Sequence, residues 1–155
     1  MKWKILAVLA IVYALTFSLL AWSRTWGFKS LSASTKYKLI SIGDGPFVQP
    51  GQFLKLRVTQ VCGDSTLANA KTDPPRYESF DSTTMSKESY DVFAQVSAGD
   101  SLVFVKPNDS TLIKNRPLVA RQGKKLTTYI KVEKILLNID SVHADMDIER
   151  LKFRK

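Results

Sequence analysis

The chain has 155 residues, 45% of them hydrophobic, which is enough for one ordinary domain with a real core. Its 23 Lys and Arg outnumber 14 Asp and Glu, and the net charge of +9 suits anionic lipid headgroups or acidic partners. Cys62 stands alone, which excludes an internal disulfide and a cysteine-based metal centre; the absence of an aromatic–basic or helix-turn-helix pattern argues against nucleic acid.

Residues 5 to 22 (ILAVLAIVYALTFSLLAW) carry no charge and follow Lys2 and Lys4. As a helix they would be about 27 Å long, close to the thickness of a bilayer core. A cleaved signal peptide has the same basic start, and Ala21-Trp22-Ser23 fits a small-x-small cleavage site. The apolar run is longer than the roughly 7 to 15 residues of a cleaved signal, so residues 1 to 23 are read as an uncleaved membrane anchor, with a cleaved signal as the alternative. Lys2 and Lys4 favour a cytoplasmic start, although Arg24 and Lys29 on the far side weaken that bias. In a bacterial envelope this puts a single-pass helix in the inner membrane and the rest of the chain on the periplasmic side, or free in the periplasm after cleavage. Without Lys2 and Lys4 the exported part has 21 bases against 14 acids, a charge of +7.

Residues 24 to 35 are polar with scattered aromatics and read as a linker. KYKLISI, from Lys36 to Ile42, alternates as a strand with Tyr37 and Leu39 on one face. Gly43-Asp44-Gly45-Pro46 forces a turn. In QFLKLRVTQV, from Gln52 to Val61, Leu54, Leu56 and Val58 share a face: a second strand. Residues 63 to 79, broken by Pro74-Pro75, read as a mobile or insertion-like polar connection. Ser86 to Ser97 sets Tyr90, Phe93 and Val96 on one side of a short helix that Ser86 caps and Ala98-Gly99-Asp100 ends. Leu102 to Val105 is an apolar strand, and Lys125 to Leu137 a last, long one. The charged tail, residues 138 to 155, has acids first and bases last, an order that complements a helix dipole and needs no ligand.

Catalytic chemistry of the usual kinds finds little support. His143 is the only histidine and lies in the tail, where a solvated side chain is the plain expectation rather than a Ser/His/Asp partner. Asp145 and Asp147, two apart, cannot share a helix face as metal ligands. Gly123-Lys124-Lys125-Leu126-Thr127 lacks the glycine spacing and Lys-Ser/Thr pair of a phosphate loop.

The order of segments is more specific. SIGDGPFVQPGQFLKLRV, then FDS, then FAQVSAGDSLVFVKP and finally IKVEKI resemble the FKBP-type peptidyl-prolyl isomerase domain across residues 36 to 137. The resemblance implies an α+β fold, an antiparallel sheet curled around one short helix, with an apolar pocket between them for the proline of an Xaa-Pro segment. It implies no cofactor and no metal. Phe80 matches the family's pocket phenylalanine and Asp81 its carboxylate, so these two are the catalytic candidates.

The substrate-lining candidates are Val58, Tyr90, Phe93, Leu112, Tyr129 and Ile130, and several depart from the family pattern. Val58 stands where the family has tyrosine and Arg57 where it has histidine. The pocket-floor tryptophan falls at Ser89, with Tyr90 next to it as a substitute. The Ala-Tyr-Gly tyrosine falls near Thr111 or Leu112, and Ile130 or Tyr129 replaces the pocket phenylalanine. The resemblance thus implies a membrane-tethered foldase acting on Xaa-Pro segments of envelope proteins. The lost rings suggest the alternative, an FKBP-like docking subunit of a membrane or secretion complex whose partners are protein subunits.

Overall fold

A computed structural model describes residues 27–107 and 125–153. In chain order these form β1 (Lys29–Ser30), β2 (Lys36–Ile40), β3 (Phe53–Cys62), β4 (Ser65–Ala68), β5 (Arg76–Ser79), α1 (Lys87–Phe93), β6 (Ser101–Pro107), β7 (Lys125–Leu136) and α2 (Ile139–Phe153). The strands make one seven-stranded sheet in the order β1-β2-β6-β7-β3-β4, with β5 also paired to β3. Every pairing is antiparallel.

The period-two pattern of β3 explains its place at the centre. Leu54, Leu56 and Val58 point to one face and join Phe80, Val92, Phe93, Val96, Leu102 and Val132 in the core. Helix α1 closes that face. It starts where expected: the Ser86 hydroxyl accepts from the Ser89 N–H at 3.3 Å.

The GDG and AGD turns are one device. Asp100, fully buried, accepts from the N–H groups of Ile42 at 2.8 Å, Gly43 at 2.9 Å and Ser97 at 2.8 Å. Burial on its own pushes this carboxyl up, but the backbone donors outweigh it and hold the pKa below the usual carboxylate value. Ser97 Oγ adds a bond to the Gly45 carbonyl at 2.8 Å. Gly43 passes so near the neighbouring turn that a Cβ there would lie 2.2 Å from the Ala98 carbonyl oxygen. Gly99, at φ +98°, takes a conformation that favours glycine.

Three expectations change. The polar connection from 63 to 79 contains two strands, β4 and β5, both laid along β3. The linker contributes β1, two residues paired to β2. The charged tail is a helix, in keeping with its charge order, but it is fifteen residues long rather than short, and Val142, Asp145 and Glu149 of this α2 are buried. It covers the face of the sheet opposite α1, so the sheet lies between two helices rather than around one. His143 is exposed on α2, and Cys62 is buried. No helix among the described residues is long and apolar enough to cross a membrane. The apolar stretch from 5 to 22 lies outside the described residues.

Candidate functional site

Phe80 follows β5 directly and is pinned by reciprocal backbone bonds: its N–H donates to the Gln52 carbonyl at 2.8 Å, and its carbonyl accepts from Gly51 at 2.9 Å. Gly51 sits at φ +85°, a geometry suited to glycine in the PGQ turn. These bonds drive the ring inward, where it is 1% exposed. Tyr90, one turn into α1, lies flat on it with centroids 4.4 Å apart and planes 5° from parallel.

Below the pair runs an apolar row across the sheet. Register pairs Leu39 with Leu102, Leu102 with Ile130, and Ile130 with Val58. Val58, Phe80 and Phe93 are buried in one core cluster, against which Tyr90 and Ile130 pack half-buried. The structure thus brings five of the expected residues together. Tyr129 is separated from them by the strand's alternation: it faces away from this cluster and is 49% exposed, leaving Ile130 as the closing-strand residue on the site's face. Leu112 and Thr111 lie outside the described residues.

Asp81 turns its carboxylate onto its own loop. Its Oδ1 accepts from the Thr83 N–H at 2.8 Å, and its carbonyl accepts from Met85 at 3.0 Å. The Thr83 N–H holds the Asp81 carboxyl below its ordinary pKa, so it is ionised near neutrality. Val58 has no hydroxyl to offer that acid.

Sequence reasoning missed Met85 and Phe104, both packed on the same core, and the stacking of Phe104 on Tyr37 at 6.2 Å. Alternation along β6 was the available signal: Leu102 and Phe104 fall two apart, on one face. Among the described residues no set of three His, Cys, Asp or Glu side chains converges as metal ligands would. What the arrangement assembles is a largely buried apolar and aromatic cluster, with Tyr90 and Ile130 half-buried and one carboxylate at the adjacent turn.

An antiparallel sheet with a short helix packed on one face, and an aromatic pair beside an acid, places the chain among small α+β domains. Solved structures narrow the class. FkpA from Escherichia coli superposes with a TM-score of 0.52 at 12% identity, covering 75% of this chain and 55% of its own. A multi-domain immunophilin from Arabidopsis thaliana gives 0.50 at 8% identity, over 71% of this chain and 45% of its own. A peptidyl-prolyl cis-trans isomerase from Pseudomonas syringae pv. tomato gives 0.49 at 13%, over 72% and 82%. The fold is FKBP-like. The chain spans about half the length of FkpA and of the immunophilin. No protein-family model and no curated protein matches the sequence.

Proposed function

We propose that this protein is a membrane-tethered, exported FKBP-like peptidyl-prolyl isomerase, a foldase for Xaa-Pro segments of envelope proteins. The observation that carries the reading is the Tyr90 ring, stacked on Phe80 next to the Val58–Ile130 row in an FKBP-like frame. Rotation about an amide has a barrier of about 18–20 kcal/mol, set by resonance. A twisted amide has lost that resonance and much of its polarity, so an apolar aromatic surface favours it over the planar state. The reaction requires no nucleophile.

The pair divides its work unequally. Phe80 is enclosed and serves as the support, whereas Tyr90 presents the ring that a proline would meet. Asp81, ionised at the adjacent turn and held there by Thr83, adds a negative charge to the rim of the site. Residues 5 to 22 supply the tether, and the domain lies on the periplasmic side of the inner membrane.

A second reading has support of its own. The enclosure of Phe80 and the engagement of Asp81 with Thr83 suit an FKBP-like docking subunit of an envelope complex. A protease-coupled proline-isomerisation assay on the full chain in mild detergent separates the two. Turnover that falls with Tyr90→Ala supports the isomerase. A rate equal to the uncatalysed one overturns it, and stoichiometric membrane partners in the same preparation then support docking. Intact mass of the mature protein tests the tether, since loss of the first 23 residues would replace an anchor with a cleaved signal.

A further inference from the structure

The face of the sheet under α2 holds a cleft of about 420 Å³ between β3, β7 and the helix, remote from Phe80 and Tyr90. Its chemistry is set by an unusual register. β3 and β7 place like charges directly opposite each other, Lys55 against Lys134 and Arg57 against Lys131. Such cross-strand pairs repel unless anions lie between them.

Three acids do. Asp145 takes Lys55 at 2.6 Å and Lys134 at 2.8 Å. Glu149 takes Lys55 at 2.9 Å, Arg57 at 3.0 Å and Lys152 at 2.7 Å. Glu133, in the β-bulge of β7, takes Arg57 at 3.0 Å. Four cations pair with these three carboxylates, and Lys131, which lines the cleft, is a fifth, so two positive charges are left in excess. The excess sits at the rim. Lys131 is exposed and makes no ion pair among the described residues, while the side chains of Lys134 and Lys152 are 56% and 62% exposed. At the floor Lys55 is 3% exposed, out of reach of screening ions.

We infer that this cleft is an anion site for a phosphate group, contacted by Lys131, Lys134 and Lys152. Two uncompensated charges match a phosphate dianion. Mobile ammonium groups can each reach one of its oxygens, as lysine does at phosphate sites. The group can belong to a soluble phosphate or to a lipid headgroup, which the outward-facing rim would meet if the domain is held at a membrane. The inference does not depend on prolyl isomerisation.

Thermal unfolding of the full chain in neutral-detergent micelles tests it. One arm replaces chloride by inorganic phosphate at constant ionic strength; the other adds phosphatidylglycerol to the micelles in chloride alone. A ligand that binds only the folded state raises the midpoint. The expected rise is lost in Lys131→Gln and in Lys152→Gln and kept in Lys131→Arg. A rise in the phosphate arm with that pattern supports the site with a soluble ligand. A rise confined to the lipid arm with that pattern supports it with a headgroup. Absence of a rise in both arms, or an equal rise in the glutamine variants, overturns it. Lys131 is exposed and makes no ion pair among the described residues, so Lys131→Gln should unfold in chloride no lower than the wild type, which keeps loss of binding distinct from loss of folding.

Discussion

Tyr90 lies on Phe80 at 4.4 Å and within 5° of parallel, so one ring of the candidate site is consumed in supporting the other. Enclosed phenylalanines are costly to truncate, about 3–5 kcal/mol. Phe80→Ala should therefore lower stability by that order in urea unfolding. Tyr90→Ala should cost less, and a double-mutant cycle between the two should return about 0.5–1.5 kcal/mol of coupling from the stack. If Tyr90 is the ring that meets proline, Tyr90→Ala also lowers kcat/KM by about tenfold, equivalent to ~1.4 kcal/mol. Phe80→Leu, which keeps an apolar support, should reduce stability more than turnover. Equal loss of turnover in both would place Phe80 itself against the substrate.

The Gly43–Asp100 clasp makes a sharper structural prediction. Gly43→Ala sets a methyl 2.2 Å from the Ala98 carbonyl oxygen, which forces the two turns apart and strains the Asp100 bonds. Overpacking of this kind costs about 1–3 kcal/mol, and bonds to a charged group add about 1.5–3 kcal/mol when broken. Gly45→Ala, two residues on, meets nothing within 4 Å and should change the stability measured by urea unfolding by no more than about 0.5 kcal/mol. Asp100→Asn should resemble Gly43→Ala in size, because an amide NH₂ would then face a backbone N–H.

How far the sequence could be read depended on which side of the sheet was in question. The α1 side was legible: Leu54, Leu56 and Val58 alternate, Ser86 caps the helix, and the GDG and AGD turns announce themselves through glycine. Phe80, Tyr90 and Ile130 could be assembled from motif order. The opposite side was not legible, because its buried positions are charged. Lys55 and Arg57 alternate with the apolar residues of β3 and carry no mark of burial in their type, and Asp145 was weighed against Asp147 although its partner on the helix is Glu149, four residues on. β4 and β5 have ordinary polar sequences, STLA and RYES, and become strands because β3 is long enough to pair with both.

Lys55 is the keystone of that hidden face. Its ammonium reaches Asp145 and Glu149 from β3, and Tyr77 Oη donates to Asp145 at 2.7 Å. Lys55→Met would leave two buried carboxylates short of a cation. A broken buried pair of this kind costs about 3–5 kcal/mol. The triple change Lys55→Met, Asp145→Leu, Glu149→Leu should recover most of the loss, since apolar replacement of a whole buried ionic group is often neutral or better. Urea unfolding measures both. Amide exchange within α2 should quicken in the single variant, because the helix is docked through those acids. Equal stability of Lys55→Met and wild type would mean that Arg57, Lys134 and Lys152 suffice.

Acid should undock α2 before it unfolds the α1 side. The Lys152 and Lys55 ammonium groups hold the Glu149 carboxyl at about 2, against an ordinary value of 4.5. Burial raises the Asp145 carboxyl, but bonds from Lys134, Lys55 and Tyr77 outweigh it and hold the pKa well below the carboxylate range. Both folded pKa values are depressed, so their contribution is fully present above about pH 4.5 and is lost as pH falls towards 2. At the alkaline end the sign reverses. Burial and Asp145 raise the Tyr77 hydroxyl; burial opposes Lys55 ionisation, but Asp145 and Glu149 raise its pKa overall. Stability from these two is present below their ordinary values of 10.0 and 10.5 and falls as pH rises beyond them. Urea midpoints across pH 2 to 5 should therefore climb steeply in the wild type and less steeply in Glu149→Gln, whose amide does not titrate. A wild-type profile that is flat over that range would show that α2 does not depend on these acids for its docking.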